Sequence, residues 1–201
     1  MPRVLCIYGL LCLLAAAAQA GKYNPTRSVG DSAPAWKNLP GVDDQKHSLE
    51  NLKEAPVIVV AFTCNTCPYA VDCEDRLNAL TKKYAPRKVA VVAINVNLTP
   101  ADLLPAMKQR AQDKKFLFPY LHDSTQQIAR DYGATRTPEF FVLNQQRKIV
   151  YMGAMDDSPD GSQVAKRYLE NAVDAALRGE KPQVEETIAI GCGVRYKRKR
   201  R

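Results

Sequence analysis

A short apolar strand that runs into a cysteine pair constrains the fold more than any other feature. Residues 57–62 read Val-Ile-Val-Val-Ala-Phe, a β-branched run without polar interruption, which is typical of a central strand covered on both faces. The pair Cys64-Asn65-Thr66-Cys67 and then Pro68 follow directly. An apolar stripe at helical spacing continues to Tyr84, and so predicts a helix from Pro68 to Tyr84; it consists of Cys73, Leu77, Leu80 and Tyr84.

Strands and helices continue to alternate along the chain. Residues 21–56 are rich in Pro, Gly, Asp and Asn, and are predicted to form loops and short extended pieces. The later predicted elements are a strand at 89–96, a helix at 101–113 that Pro105 bends or restarts, a short helix that ends at Gly133 after a capping box of Asp123, Ser124 and Gln127, a hairpin at 140–143 and 148–152, and a long helix at 163–178. This order predicts an α/β fold with a mixed central sheet and helices on both faces.

The first 20 residues have the pattern of a signal peptide. Met1-Pro2-Arg3 precedes an apolar run at 4–18 and an Ala18-Gln19-Ala20 cleavage site. An uncleaved membrane anchor is the weaker alternative, because no charged flank follows Ala20. We therefore expect an exported protein, periplasmic or extracellular, that loses Cys6 and Cys12 with its leader. Later residues contain no apolar run near the roughly 20 residues that cross a bilayer.

Basic charge is concentrated at the C-terminus. The chain has a formal net charge of +8, but six basic residues lie at 195–201 and Arg3 belongs to the leader, so the body is nearly neutral. The basic run could contact an anionic envelope surface, or it could be a solvated, disordered end. No nucleic-acid partner is expected, because no aromatic-rich groove accompanies the run. We expect three parts: a signal peptide (1–20), one domain (21–180) and a tail (181–201) that contains Cys192.

The spacing of Cys64 and Cys67 predicts a redox-active disulfide. Cys64 is expected at the open N-terminus of the following helix, where unpaired N–H groups and the helix dipole would lower its thiol pKa. Cys67 is then close enough to resolve a mixed disulfide. A zinc site needs about four ligands, and only His47 and His122 could supplement the cysteines. We therefore expect no metal and no other cofactor; a purely structural disulfide is disfavoured because so small a loop adds little stability.

The two remaining cysteines have different settings. Cys73 lies on the apolar helical stripe, and is predicted to be a buried core thiol on a different helix face from Cys67. Cys192 lies between two glycines, which predicts a flexible setting with an accessible thiol. Its role as a resolving, partner-linking or free cysteine stays open.

Several motifs in a fixed order are shared with a known family. They are Phe62-Thr63-Cys64-Asn65-Thr66-Cys67-Pro68, Glu74-Asp75-Arg76-Leu77, Phe118-Pro119-Tyr120-Leu121, Tyr132-Gly133-Ala134, Thr137-Pro138, Gly153 with Asp156-Asp157, and Gly191-Cys192. With them the chain resembles redoxin domains of the alkyl-hydroperoxide-reductase/thiol-specific-antioxidant (AhpC/TSA) superfamily, in a peroxiredoxin-like bacterial group with F-x-C-N-x-C-P. The resemblance implies a thioredoxin-like fold with an insertion between the dithiol helix and the cis-proline strand.

The resemblance also implies roles for individual residues. Cys64 would be the nucleophile, Cys67 the resolving thiol, and Thr137-Pro138 a cis peptide bond beside the dithiol, with a backbone edge that pairs with substrate. Glu139 would assist proton transfer to the second thiol as an acid or base, unless it is a solvated carboxylate at the strand end.

Three functions compete. The favoured one is an exported thiol–disulfide oxidoreductase that acts on protein or small-molecule disulfides with an unidentified electron donor. A thiol peroxidase is weaker, because neither cysteine fits P-x-x-x-T/S-x-x-C; Arg136 could orient a peroxide there, or be a surface loop arginine. A metal-binding assembly factor is weakest, since the related copper-delivery proteins use C-x-x-x-C.

Overall fold

The fold is built around one five-stranded mixed sheet. A computed structural model describes residues 21–197. The sheet has the strand order β5-β4-β3-β7-β8, in which β3, β4 and β5 are parallel and β7 and β8 are antiparallel to their neighbours. The strands are β1 (Leu39–Pro40), β2 (Lys46–His47), β3 (Ile58–Thr63), β4 (Ala90–Asn95), β5 (Tyr120–His122), β6 (Arg136–Thr137), β7 (Glu139–Leu143), β8 (Ile149–Gly153) and β9 (Cys192–Gly193).

Four α-helices connect and cover these strands. They are α1 (Pro68–Tyr84), α2 (Leu104–Asp113), α3 (Gln127–Tyr132) and α4 (Tyr168–Leu177), with 3-10 segments at Leu49–Leu52, Ala85–Arg87 and Pro100–Asp102. The mixed sheet, the helices and a cis Thr137–Pro138 bond give the thioredoxin-like α/β fold that the sequence predicts. The segment between α1 and β6, where an insertion is expected, contains β4, α2, β5 and α3.

Alternation along each strand separates two apolar cores. On β3, Val59 and Ala61 face a cluster that includes Leu77 of α1, Met107 of α2 and Leu169 of α4. The intervening side chains face a second cluster, which α3 and the N-terminal segment complete; it includes Ile58, Val60, Phe62, Trp36, Tyr132 and Phe141. Because every residue from Val57 to Phe62 is completely buried, the continuous apolar run is explained by cover on both faces.

Two helix starts differ from the sequence prediction. The last long helix begins at Tyr168 rather than at residue 163, because the N–H groups of Ala165 and Lys166 bind the Asp157 carboxylate at 2.9 and 2.8 Å. The capping box before α3 is also wrong in detail. Gln126 is the N-cap, and Asp123 accepts a hydrogen bond from the N–H of Ile128 instead. The restart at Pro105 is confirmed, since a 3-10 turn ends before α2 begins.

The shortest strands have no individual counterpart among the predicted elements. β5 pairs with only three residues of β4, and β1 and β2, with two residues each, lie within 21–56, where short extended pieces are predicted. The pairing of β6 with β9 joins segments more than 50 residues apart in sequence. Strands this short contain too little alternation for a periodicity to identify them.

Two expectations fall outside the described residues. The predicted signal peptide covers 1–20, and most of the basic run lies at 198–201. Within residues 21–197 no helix has the length and apolar character needed to cross a bilayer.

Candidate active site

The two cysteines of the C-x-x-C motif lie where β3 ends and α1 begins. Cys64 follows the last residue of β3, and Cys67 is the N-cap of α1, with Pro68 in the first turn. Proline is well tolerated there, since its missing N–H would have no helical partner. Antiparallel pairing of β3 with β7, with Phe62 opposite Glu139, brings the Thr137–Pro138 bond to the same place.

Thr137 contacts both thiols of the pair. Its hydroxyl lies 3.4 Å from the Cys64 sulfur, and its carbonyl oxygen accepts a hydrogen bond from the Cys67 thiol at 3.0 Å. Both cysteines are 2% exposed and both are reduced in this structure. One residue of the strand before the cis-proline therefore positions both sulfurs.

The pKa values of the two thiols shift in opposite directions, and not as the sequence predicts. Burial raises the pKa of Cys64; the Thr137 hydroxyl opposes the rise and the Asp102 charge adds to it. Burial also disfavours ionisation of Cys67, but hydrogen bonds from the Cys192 thiol and from the N–H groups of Ala70 and Cys192 lower its pKa overall. The expectation of a lowered pKa at Cys64 is therefore wrong, because Cys67 is the residue at the helix N-terminus.

Cys192 lies beside the pair rather than in a flexible tail. Its backbone N–H points to the Cys67 sulfur at 3.4 Å, and its thiol packs against Cys64, Cys67 and Ala70. The hydrogen bond with Cys67 raises the pKa of Cys192 to about 11. The structure thus brings together three of the four cysteines in the described part of the chain.

A buried carboxylate organises the loop between Cys64 and Cys67. Asp102 has no solvent exposure. It accepts hydrogen bonds from the N–H of Asn65 at 2.7 Å and from the hydroxyls of Thr66 and Thr99 at 2.8 and 2.7 Å. Asn95, at the end of β4, donates to the same carboxylate at 3.2 Å. Charge-assisted bonds of this kind fix a loop strongly when they are protected from water.

A second set of polar contacts completes this network. The Asn65 side chain donates to the carbonyl of Ala101 at 2.8 Å and accepts from the Tyr120 hydroxyl at 2.9 Å. Tyr120 in turn accepts from Asn95 at 3.1 Å. Both middle residues of the C-x-x-C motif are therefore bound to the segment after β4.

Sequence reasoning misses Asp102, although a pattern in the chain could have indicated it. Thr99-Pro100-Ala101-Asp102 combines an N-cap residue, proline at the first position and an acid at the third. It follows strand β4, which is parallel to β3. Because the C-terminal ends of parallel strands lie at the same edge of a sheet, this acid and the dithiol are expected to be neighbours.

Glu139 is a buried carboxylate at the start of β7. It shares a strand face with Phe141, which belongs to the core opposite α1, and its carboxylate accepts hydrogen bonds from the N–H groups of Thr135 and Arg136 at 2.8 and 3.1 Å. It is 5% exposed, and burial raises its pKa. A solvated strand-end carboxylate is therefore wrong, and the contacts show a buried acceptor for the turn before β6.

Arg136 and Cys73 have the structural settings that the sequence predicts, a surface arginine and a buried core thiol. Arg136 is exposed, and its guanidinium donates to the carbonyl of Gly191 at 3.3 Å. Cys73 is confirmed as a core thiol, packed with Leu77 and Leu80. Burial raises the pKa of Cys73 to about 12.

Within residues 21–197, no group of three or more His, Cys, Asp or Glu side chains is placed to hold a metal ion.

The chain matches a known protein family over most of its length. The Redoxin family model matches residues 28–169. The chain belongs to the Redoxin family. The match includes the dithiol, Asp102 and the cis-proline strand, and the family implies oxidoreductase activity. The comparison with curated proteins gives no significant match.

Solved structures agree with this redoxin assignment. A hypothetical protein from Sinorhizobium meliloti 1021 is 33% identical, with a TM-score of 0.81, and the alignment covers 87% of this chain and 97% of that one. Peroxidoxin BcpB from Mycobacterium tuberculosis has 20% identity and a TM-score of 0.59, over 75% and 96% of the two chains. A thiol:disulfide interchange protein of the thioredoxin family from Chlorobium tepidum TLS has 21% identity and a TM-score of 0.58, over 78% and 99%. The last two share the fold.

Replacing Asp102 should destabilise the protein through the dithiol loop. In Asp102→Ala the N–H of Asn65 and the hydroxyls of Thr66 and Thr99 lose their buried acceptor. We expect the free energy of unfolding to fall by about 2 kcal/mol, because a hydrogen bond to a charged group contributes roughly 1.5–3 kcal/mol, while water can replace the acceptor at the exposed Thr66. Urea denaturation measures the loss. The matched control is the exposed Asp113→Ala, for which about 0.5 kcal/mol or less is expected; equal losses would contradict the role of Asp102.

Replacing Glu139 should remove a dependence of stability on pH. Because the folded-state pKa of Glu139 lies above the ordinary 4.5, the folded protein keeps this proton where the unfolded chain has lost it. Stability from this group is therefore present below 4.5 and falls as pH rises through the folded pKa. Glu139→Gln keeps an acceptor for the two N–H groups but does not titrate.

The measurement is urea denaturation of both proteins from below pH 4.5 up to neutrality. The variant should gain stability relative to wild type as pH rises. The exposed Glu54→Gln serves as the control and should track wild type. A constant difference between Glu139→Gln and wild type across this range would show that Glu139 titrates normally.

Proposed function

We propose that this redoxin is an exported thiol–disulfide oxidoreductase that uses Cys64 and Cys67 to exchange disulfides with protein or small-molecule substrates. The observation that carries the proposal is the contact of both thiols with Thr137, directly before the cis-proline. Two sulfurs held against one residue can form a reversible disulfide with little rearrangement. A shifted pKa on each thiol adds the electrostatic asymmetry that exchange requires.

The lowered pKa makes Cys67 our candidate for the attacking thiol, in place of Cys64. The Cys67 thiolate attacks one sulfur of a substrate disulfide, and the other substrate sulfur leaves as a thiolate and takes up a proton. Cys64 then attacks the sulfur of Cys67, which releases the second substrate thiol and closes the Cys64–Cys67 disulfide. An external thiol donor restores the reduced pair.

The contacts favour disulfide exchange over peroxide reduction. Arg136, the candidate for orienting a peroxide, donates to the carbonyl of Gly191. Thr137 contacts Cys64 from the cis-proline strand, whereas the peroxidase pattern requires a Thr or Ser three residues before the cysteine. That position before Cys67 is Cys64 itself.

Replacing Cys67 should abolish disulfide reduction. We expect the purified protein to reduce insulin with dithiothreitol as donor, and Cys67→Ser to lose this activity by at least about 100-fold, because no thiolate remains at the helix N-terminus. Insulin precipitation measures the rate. Cys73→Ser is the matched control and should keep wild-type activity, since Cys73 packs within the apolar core.

Two further readouts test the order of the thiols and the class of reaction. At limiting iodoacetamide, peptide mass spectrometry should find alkyl groups on Cys67 before Cys64; the reverse order would restore Cys64 as the nucleophile. Rapid consumption of hydrogen peroxide together with slow insulin reduction would overturn the proposal in favour of a peroxidase.

We also propose export with cleavage after Ala20. In support, the residues that follow are bound to the domain: the N–H of Gly21 donates to Arg27 at 2.9 Å, and the Glu186 carboxylate accepts from the N–H groups of Lys22 and Asn24 at 2.8 and 2.9 Å. The residues directly after the predicted cleavage site are thus part of the folded domain.

Expression of the full chain in a Gram-negative host tests export. The periplasmic fraction should contain a protein whose intact mass begins at Gly21. Leu11→Arg, which interrupts the apolar run, should leave an uncleaved protein in the cytoplasm. Retention of residues 1–20 on the periplasmic protein would contradict cleavage.

A further inference from the structure

The segment from Glu185 to Lys197, here called the C-terminal strap, is docked along the domain and past the dithiol. Its strand β9 pairs with β6, so that Cys192 lies opposite Thr137. Contacts continue on both sides of this pair. They are Val194 N–H to the Thr135 carbonyl at 2.9 Å, the Tyr196 hydroxyl to the Ala134 carbonyl at 2.5 Å, Lys197 N–H to the Gln126 side chain at 2.8 Å, and Thr187 N–H to the Met152 carbonyl at 3.0 Å.

A glycine permits the closest approach of the strap. A Cβ atom at Gly191 would lie 2.1 Å from the Thr137 carbonyl oxygen and 3.0 Å from the Pro138 nitrogen, whereas one at Gly193 would meet no heavy atom within 4 Å. The backbone at Gly191 therefore rests directly on the cis-proline bond. This contact fixes the position of the next residue, Cys192.

Cys192 packs against the cluster that contains Cys67, and its backbone N–H lies 3.4 Å from the Cys67 sulfur, although 125 residues separate the two cysteines in sequence. Cys67 thus has two thiol neighbours, one within its own motif and one on the strap. Cys64 and Cys192 both lie beside Cys67, and this geometry suits the transfer of a disulfide bond from one pair to the other.

We propose that Cys192 is a third redox-active thiol, which forms an alternative disulfide with Cys67 and so locks the C-terminal strap over the active site. This inference rests on the proposed dithiol chemistry of Cys64 and Cys67. It assigns a role to a residue that the first exchange does not use.

The step is a balanced intramolecular exchange. In the oxidised protein the Cys192 thiolate attacks the Cys67 sulfur; the Cys67–Cys192 bond forms as the Cys64–Cys67 bond breaks. The electron pair leaves on the Cys64 sulfur, which accepts the proton that Cys192 gave up. The protein's oxidation state is unchanged, so the step needs no further oxidant or reductant.

The loss of negative charge on Cys67 and the long loop closed by the new bond both favour this step. In the reduced protein the hydrogen bond with Cys67, burial and the negative charge of Cys67 hold the Cys192 pKa at about 11. Once Cys67 is in a disulfide, its charge is gone, and a larger fraction of Cys192 ionises. The Cys67–Cys192 bond also closes a far longer loop than the C-x-x-C bond, which restricts the unfolded chain more.

Disulfide mapping tests the proposal. The protein is oxidised in a glutathione redox buffer, quenched in acid, alkylated, and analysed by peptide mass spectrometry. Wild type should contain both Cys64–Cys67 and Cys67–Cys192. Cys64→Ser should form Cys67–Cys192 as its major intramolecular bond, and so should the matched control Cys64→Ser/Cys73→Ser. Cys64→Ser/Cys192→Ser should contain glutathione on Cys67 instead. Alkylated Cys192 throughout wild type and Cys64→Ser would overturn the proposal.

A pair of glycine variants tests the geometry without changing any cysteine. Gly191→Ala should lower the yield of Cys67–Cys192 several-fold, because its Cβ displaces the strap from Thr137. Gly193→Ala should match wild type. Equal yields in the two variants would show that the docked strap does not direct this bond.

The two proposals fail separately. Insulin reduction without any Cys67–Cys192 bond would leave the oxidoreductase proposal intact and reject the role of Cys192. A mapped Cys67–Cys192 bond without insulin reduction would support the role of Cys192 and reject the oxidoreductase proposal.

Discussion

The antiparallel register of β3 and β7 is the constraint on which the rest of the site depends. With Phe62 opposite Glu139, the chain that leaves β3 and the chain that enters β7 run past each other at one edge of the sheet. Cys64 and Cys67 come from the first and Thr137 from the second. Since side chains alternate between faces, a slip of one residue would exchange the two buried faces of β7. The apolar cores therefore also fix the position of the sulfurs.

Within this frame, two opposing influences distinguish the thiols. Asp102 holds the C-x-x-C loop through its hydrogen bonds to Asn65 and Thr66, and its charge opposes ionisation of the nearby Cys64. Cys67 instead receives N–H groups from the helix start and from the strap. The same carboxylate that orders the loop thus opposes a negative charge on the first cysteine.

The sequence predicts the elements with strong local patterns. The continuous apolar run of β3 and the stripe of α1 identify the scaffold of the dithiol, and α1 has the predicted ends. Proline before β7 likewise indicates the cis bond that the structure contains. These features depend on residues that are close in sequence, so their spacing can be recognised from the sequence alone.

Features that depend on distant parts of the chain could not be predicted. Nothing near Cys192 in sequence indicates that it meets Thr137, and its two glycines suggest flexibility where one of them permits tight contact. The setting of the Glu139 side chain could not be predicted for a related reason. Its position next to the cis-proline suggests a role at the thiols, but strand alternation turns it toward the opposite core. The different pKa directions of Cys64 and Cys67 depend on the burial of Cys64, on Asp102 and on Cys192. They could therefore be found only from the folded structure.

The distance along the chain between Cys67 and Cys192 also sets an order of assembly. Synthesis proceeds from the N-terminus, so the C-x-x-C pair is made 125 residues before Cys192. A growing chain therefore carries its dithiol without the strap until Cys192 has been made. Docking of the strap follows the synthesis of the dithiol, and it adds the contacts that Gly191 and Cys192 make with Thr137 and Cys67.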